Sequence, residues 1–128
     1  MKERSIMMDA YEYQELAMRT NDRKHTERLR KMLDDSRTAQ LLNGCLGLSG
    51  EVGEFNDMIK KVVFHEATVE IDHLEKELGD IMWYIALICD AFGFDLDHVM
   101  RLNIEKLKAR YPDGFDVDKS ANRAEDDV

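Results

Sequence analysis

The chain has 128 residues, which suits a single domain with a modest core. Hydrophobic residues make up 44% and charged residues 35% of it, as in a globular protein, and the single proline favours helix over sheet. The net charge of −9 argues against a nucleic-acid duplex as partner, because duplex binding depends on clustered Lys and Arg. It does not exclude phosphorylated small molecules held through bridging Mg²⁺.

Membrane insertion and disulfide chemistry are not expected from the sequence. The N-terminal residues lack the continuous apolar stretch of a signal peptide, and the longest apolar run, residues 81–89, is far shorter than the roughly 20 residues that span a bilayer. Cys45 and Cys89 both fall in apolar helical patterns, so we expect buried, reduced thiols. These features predict a cytoplasmic protein without a membrane partner.

The first predicted helix covers about Asp9 to Thr20. A strongly charged stretch, Asp22 to Ser36, follows it and predicts either an exposed helix or a mobile connection. The charges of this stretch fit a solvated face, so we assign no chemistry to it.

The second predicted helix runs from an N-cap at Ser36 to about Val63. Apolar side chains recur along it at intervals of three and four residues and predict one buried face: Leu41, Cys45, Leu48, Val52, Phe55, Ile59 and Val62. Glycine occupies every third position from Gly44 to Gly53. Because each glycine costs a helix interior up to about 1 kcal/mol relative to Ala, these residues indicate a break near Gly47 to Gly50 or the close approach of another element or a ligand.

The third predicted helix begins at an N-cap, Thr68, and ends at Gly93. From Ile81 onward it is apolar almost all round, which places it at the centre of a bundle or at a subunit interface. A fourth helix is expected between the N-cap Asp95 and Pro112.

Four amphipathic helices without strands predict an all-α fold in which the helices pack as a bundle. We expect one domain over residues 1–115, followed by a polar and flexible tail over residues 116–128.

Two acidic pairs on consecutive helices carry the chemical signal: Glu51-x-x-Glu54 and Glu77-x-x-Asp80. Residues three apart share one helical face, so each pair can direct two carboxylates at one metal site. Both pairs lie at the edge of an apolar face, where crowded carboxylates repel one another without a cation, and oxygen ligands suit Mg²⁺ or Mn²⁺. The same spacing also fits surface acids that face water or pair with neighbouring lysines, namely Lys60, Lys61 and Lys76.

Longer motifs extend these pairs along the chain. They are YQELAMRT from Tyr13, GLSGEVGEFNDMIKK from Gly47, ELGD-x-x-WY from Glu77 and N-x-x-KL-x-x-RYP from Asn103. In this order, with 22 residues between Glu54 and Glu77, they resemble the MazG-like nucleotide pyrophosphohydrolases, a family marked by ExxE on one helix and ExxD on the next. The resemblance covers roughly Tyr13 to Phe115, and the charged stretch has no confident match.

The resemblance implies a four-helix-bundle-like MazG fold that hydrolyses (deoxy)nucleoside triphosphates to a nucleoside monophosphate and pyrophosphate, as a house-cleaning enzyme of the nucleotide pool. It implies Mg²⁺, with Mn²⁺ as a substitute, bound by Glu51, Glu54, Glu77 and Asp80. One residue of the first acidic pair would also orient the attacking water. It further implies contacts with the substrate by Lys61, Asn103, Lys106, Arg110, Gln14 and Arg19. By position alone, Lys61 fits a solvated lysine equally well, and Arg110 fits a residue that caps its helix.

Other functions stay open. Within the fold, the chain could be a dedicated dUTPase or dCTPase, or phosphoribosyl-ATP pyrophosphohydrolase. A redox di-metal bundle uses Glu-x-x-His motifs, which neither acidic pair completes, and the histidines fit surface residues without a ligand pattern: His25, His65, His73 and His98. A non-catalytic helical interaction module is the remaining alternative.

The resemblance also implies a homodimer or homotetramer with sites near subunit contacts. The apolar character of the helix that follows Ile81 agrees with this, because one partner helix cannot cover it. We expect Trp83 or its neighbours near the shared surface.

Overall fold

The computed structural model describes residues 8–123, which form α-helices and no strand. The helices are α1 (Ala10–Met18), α2 (His25–Met32), α3 (Arg37–Phe64), α4 (Ile71–Phe92), α5 (Leu96–Arg110) and α6 (Val117–Ala121). The predicted all-α class is therefore confirmed. The chain divides into two compact units, of which the first ends at Ser36 and the second begins at Arg37.

The first unit contains α1 and α2. The carboxylate of Asp9 accepts a hydrogen bond from the backbone N–H of Glu12 (2.8 Å) and so caps the start of α1. The charged stretch forms an exposed helix, α2, in which Lys31 pairs with Glu27 at 2.9 Å. Neither helix contains a buried residue, as expected for a solvated face.

The second unit is organised around α3 and α4, which pack against each other in an antiparallel arrangement. Near the start of α3, Nε2 of Gln40 donates to the carbonyl oxygen of Leu87 (3.1 Å) and to Oδ2 of Asp90 (2.7 Å), close to the end of α4. Further along α3, Gly44 lies against Ile88, and Gly47 lies against Tyr84. Because the contacts on α4 move backwards as those on α3 move forwards, the acidic segments of the two helices come opposite each other.

The connection between these helices spans residues 65–70. Glu66 adopts a left-handed backbone conformation (φ 53°), and the N–H of Ala67 returns to the carbonyl oxygen of Lys61 (3.2 Å). The N–H groups of the first turn of α4 bond instead to the carbonyl oxygen of Glu70. The predicted N-cap at Thr68 is therefore wrong. The N-cap of α4 is Glu70, two residues later, because the chain is still in the turn that follows α3 at Thr68.

α3 continues without a break through all four glycines, so the predicted break near Gly47 to Gly50 is wrong. The alternative, close approach of another element, applies to the first two glycines. A Cβ atom on Gly44 would lie 2.7 Å from Cγ1 of Ile88, and one on Gly47 would overlap the ring of Tyr84. No atom lies within 4 Å of the position that a Cβ would take on Gly50 or Gly53.

The face of α3 that packs on α4 is rotated by about one residue from the predicted face. Gly44 is buried whereas Cys45 is exposed, and Val52 is 39% exposed. The prediction of buried, reduced thiols is confirmed for Cys89, which lies on α4, and is wrong for the burial of Cys45; both are free thiols.

α4 ends at Gly93, whose left-handed conformation (φ 69°) allows the chain to leave the helix. The carboxylate of Asp95 then accepts from the N–H of Asp97 (3.0 Å) and caps α5, as predicted. α5 contains no buried residue. Among the described residues, no helix is both long enough and apolar enough to cross a bilayer.

The predicted tail, residues 116–128, contains a short helix at its start. The carboxylate of Asp116 accepts from the N–H of Lys119 (3.0 Å) and caps α6. The predicted tail therefore begins with local helical structure over Val117–Ala121, and its flexibility stays a prediction. Residues 124–128 of the predicted tail lie outside the described residues.

Candidate active site

Carboxylates from α3 and from α4 lie close together where the acidic segments of the two helices face each other. Glu51 comes from α3, Glu77 and Asp80 come from α4, and one oxygen of each lies within 4.8 Å of one oxygen of the other two. We refer to these three residues as the acidic cluster. The structure thus brings together three of the four residues predicted as metal ligands, and their role as ligands stays a prediction.

The fourth predicted ligand, Glu54, lies one turn after Glu51 on α3 and is exposed. It stands outside the acidic cluster, but its negative charge reaches the cluster, because it contributes to the raised pKa of Glu51. The main cause of that raised pKa is the removal of the carboxyl group from water, followed by the charges of Glu54, Asp80 and Glu77.

The lysines that follow the first acidic pair on α3 do not neutralise the acidic cluster. Lys60 and Lys61, which could have neutralised these acids, bind Asp57 instead, at 2.9 Å and 2.7 Å. Their hydrogen bonds and charges lower the pKa of Asp57 to about 2, with Lys61 as the larger cause. The simple explanation of the acids as lysine-paired surface charges therefore does not hold for these lysines.

Glu77 has the most confined carboxylate of the cluster, with a side chain that is 13% exposed. Its Oε1 lies 3.7 Å from Nε2 of His73. Its Oε2 is buried and has no hydrogen-bond partner among the described residues. A buried carboxylate oxygen without a partner is unfavourable, and a cation would satisfy it. The oxygen donors of the cluster and this unsatisfied atom both fit Mg²⁺ or Mn²⁺.

The residues predicted to contact the substrate belong to three helices, α1, α3 and α5, or directly follow one of them. On α5, Asn103 and Lys106 are exposed, whereas Arg110 is partly buried, with its Cζ 6.0 Å from the ring centre of Tyr111. In the first unit, Gln14 belongs to α1, and Arg19 follows the end of that helix. Lys61, as described above, is held by Asp57. Their contacts with a substrate stay predictions.

Three polar residues on α3 and α4 were not identified as interacting residues from the sequence, namely Gln40, Asp57 and His73. The spacing of four residues between His73 and Glu77, and between Asp57 and Lys61, is the usual signal of neighbours on one helix and could have revealed both pairs. Gln40 has no comparable signal, because its partners lie 47 and 50 residues away in the chain.

A family model of the MazG nucleotide pyrophosphohydrolase domain matches residues 40–115, more than half of the chain. The chain belongs to the MazG family. The matched segment includes the acidic cluster and most of the second unit, and it begins after α1 and α2. Nucleotide pyrophosphohydrolysis is the activity that MazG membership indicates.

The chain also resembles a curated phage protein whose name states no activity. The "Gene 37 protein" of Mycobacterium phage L5 is 34% identical over 82 residues, which cover 61% of this chain and 72% of the relative. No solved structure matches the chain.

Proposed function

We propose that the chain hydrolyses (deoxy)nucleoside triphosphates to a nucleoside monophosphate and pyrophosphate in a Mg²⁺-dependent reaction, and that it removes unwanted nucleotides from the pool. The observation that supports this most is the acidic cluster. In a member of the MazG family, three carboxylates from two helices lie within 4.8 Å of one another, while the nearby Lys60 and Lys61 pair with Asp57 instead.

The acidic cluster is suited to a divalent cation. Glu51, Glu77 and Asp80 supply oxygen donors, and Glu54 would complete the set by turning from its exposed position toward Glu51. Carboxylates alone would repel the polyphosphate of a nucleotide, so the site needs positive charge to hold its substrate. When bound, Mg²⁺ or Mn²⁺ would neutralise charge on the phosphate oxygens and favour attack by water.

The carboxylates also supply a group that can move a proton. In the proposed reaction, the oxygen of a water molecule bonds to one of the two phosphorus atoms of the α–β anhydride, and the bond from that phosphorus to the bridging oxygen breaks. The water transfers a proton to a carboxylate of the first acidic pair, and the solvent removes it afterwards. We assign this role to one of Glu51 and Glu54, which lie one turn apart on α3, and the other would orient the water.

The substrate side of the site would combine charge and hydrogen bonding. We assign phosphate binding to Lys61, which would exchange Asp57 for a phosphate oxygen, and sugar or phosphate contacts to Asn103, Lys106 and Arg110. The substrate contacts of Gln14 and Arg19 stay predictions that rest on the resemblance alone. A dedicated dUTPase, dCTPase or phosphoribosyl-ATP pyrophosphohydrolase would use the same acidic cluster and differ in the groups that read the base and sugar.

We further propose that the active form is a homodimer or a homotetramer. Large apolar side chains are exposed along the outer side of α4, where Leu78 is 48%, Met82 is 47% and Trp83 is 56% exposed. α5 adds further exposed apolar side chains: Met100, Leu102, Ile104 and Leu107. An apolar surface of this extent is typical of a protein–protein interface, and a second copy of the chain supplies a matching one.

The function is tested by pyrophosphate release from each common ribo- and deoxyribonucleoside triphosphate and from phosphoribosyl-ATP. The reaction is measured with Mg²⁺, with Mn²⁺ and with EDTA. We expect equal amounts of monophosphate and pyrophosphate with either cation and no turnover in EDTA, with recovery when Mg²⁺ is restored. A strong preference for dUTP, dCTP or phosphoribosyl-ATP would identify a dedicated enzyme. Turnover that persists in EDTA, or no product from any substrate, would contradict the proposal.

A further inference from the structure

His73 lies one helical turn before Glu77 on α4, and its ring is the nearest described polar partner of that carboxylate. Nε2 of His73 is 3.7 Å from Oε1 of Glu77. The two side chains differ in environment, since that of His73 is 56% exposed and that of Glu77 is 13% exposed. The imidazole therefore approaches the confined carboxylate from the solvent side.

The two oxygens of Glu77 have different surroundings. Oε1 faces the imidazole of His73, whereas Oε2 is buried without a hydrogen-bond partner among the described residues. The group of mutually close ligand atoms consists of Glu51, Glu77 and Asp80, and the imidazole does not belong to it. His73 is thus placed beside a proposed ligand and outside the set of atoms that could share one cation.

We propose that His73 is a positioning residue, whose Nε2–H donates to Oε1 of Glu77 and directs Oε2 toward the cation. This inference rests on the proposed function, because it requires the acidic cluster to bind a cation. A small rotation of either side chain shortens the 3.7 Å separation to a hydrogen bond. The neutral imidazole with its proton on Nε2 is sufficient, so the role does not require a charged histidine.

The physical advantage is a carboxylate with fewer conformations. A glutamate side chain rotates about three bonds, and a ligand that is not held in place loses this freedom when the cation binds. A hydrogen bond from outside the ligand set orients the carboxylate before binding, and such outer contacts typically change metal affinity by about 10- to 100-fold. His73 would therefore raise the affinity for the cation without touching it.

The test compares His73→Ala and His73→Gln with the unchanged protein and with His65→Ala. Glutamine retains an N–H donor at a similar reach, and His65 is an exposed histidine in the connection between α3 and α4. Mn²⁺ binding to the metal-free full-length protein is measured by electron paramagnetic resonance without nucleotide. Thermal unfolding of the metal-free variants is followed by circular dichroism, and turnover is measured as a function of Mg²⁺ concentration.

We expect His73→Ala to weaken Mn²⁺ binding about 10-fold, with His73→Gln restoring most of the affinity and His65→Ala leaving it unchanged. All unfolding temperatures in the absence of metal should agree. The Mg²⁺ concentration for half-maximal turnover should rise in His73→Ala, while the turnover number at saturating Mg²⁺ changes little.

The inference is overturned if His73→Ala binds Mn²⁺ like the unchanged protein, or if His73→Gln is as weak as His73→Ala. A Glu77→Gln variant distinguishes a failure of the proposed role of His73 from a failure of the proposed cation site. If Glu77→Gln loses Mn²⁺ binding and His73→Ala does not, only the role of His73 is wrong and the proposed function stands. If the unchanged protein binds no Mn²⁺, both the role of His73 and the proposed cation site fail.

Discussion

Near the start of α3, Gly44 and Gly47 allow Ile88 and Tyr84 of α4 to lie directly against the helix backbone. One turn further along, the same two helices face each other through the carboxylates of Glu51, Glu77 and Asp80. The first region joins the helices by close packing and by the hydrogen bonds of Gln40. The second region places like charges together. There, Oε2 of Glu77 is buried without a hydrogen-bond partner among the described residues, and the pKa of Glu51 is raised.

Under the proposed function, stability and catalysis depend on different ends of one helix pair. Close packing and satisfied polar groups stabilise the pair at one end. The mutual repulsion of the acids at the other end opposes folding, and proteins retain such groups where a function requires them. Substitutions in the two regions should therefore have opposite consequences for stability and for activity.

The largest effect is expected from the acids. Glu77→Gln or Asp80→Asn should lower turnover by roughly 100-fold or more, equal to about 3 kcal/mol in the activation barrier, because each removes a charged ligand of the cation. The metal-free protein should be as stable as before or more stable, since the repulsion within the acidic cluster falls. Turnover and urea unfolding of each variant provide the measurement. Glu75→Gln, an exposed acid on the same helix, is the control, and near-normal turnover in Glu77→Gln would refute its assignment.

Gly47→Ala should show the opposite behaviour. The new Cβ overlaps the ring of Tyr84, and such overpacking typically destabilises a protein by about 1–3 kcal/mol. The higher helix propensity of alanine offsets up to about 1 kcal/mol of this loss. Urea unfolding should therefore show a clear net loss of stability in the presence and absence of Mg²⁺. An unchanged unfolding midpoint would show that Tyr84 turns away without difficulty and that this contact does not hold the helices together.

Gly53→Ala has the smallest steric demand of these substitutions and serves as the matched control for Gly47→Ala. Nothing within 4 Å meets the new Cβ, so the gain in helix propensity should stabilise the protein by up to about 1 kcal/mol. Urea unfolding at two protein concentrations measures it. A loss of stability, particularly one that depends on protein concentration, would mean that a second copy of the chain approaches α3 closely at this position.

The smallest expected effect is the contribution of Glu51 to the pH dependence of stability. Its pKa in the folded protein is raised above the ordinary value of 4.5, mainly by removal from water. The stability that its protonated form contributes is present below pH 4.5 and is lost as the pH rises through the raised pKa. Glu51→Gln should remove this loss. The measurement is the difference in urea unfolding between the metal-free protein and Glu51→Gln across this range, and parallel curves would contradict the raised pKa.

Several features of the fold could be predicted because their signals are local. The capping residue Asp95 acts within two residues of its own position, and Gly93 ends its helix by its own backbone conformation. The spacing of the acids predicted that each pair shares one helical face, whereas the expectation that the two pairs form one site depended on the resemblance. The turn after α3 could not be predicted, because the bond from Ala67 to Lys61 depends on how the chain folds back at Glu66.

The buried face of α3 was placed wrongly for a physical reason. Hydrophobic periodicity counts apolar side chains, and glycine has none, so a contact face centred on Gly44 and Gly47 gives no signal. Of the apolar residues that produced the pattern, Leu41, Leu48 and Phe55 are partly buried, whereas four others are exposed in the single chain: Cys45, Val52, Ile59 and Val62. Gln40 was missed because its partners on α4 come close only through the antiparallel packing of the two helices.

The position of Trp83 gives the protein a natural optical probe. It is the only tryptophan of the sequence, it is 56% exposed in the single chain, and its ring meets that of Tyr84 edge to face at 5.0 Å. The fluorescence of an indole shifts to shorter wavelength when its surroundings become apolar. The emission of Trp83 can therefore be followed without a label while the protein is diluted, and this series reports on the surroundings of the indole. Because Trp83 follows Asp80 by three residues on α4, its emission during addition of a cation reports on changes close to the acids.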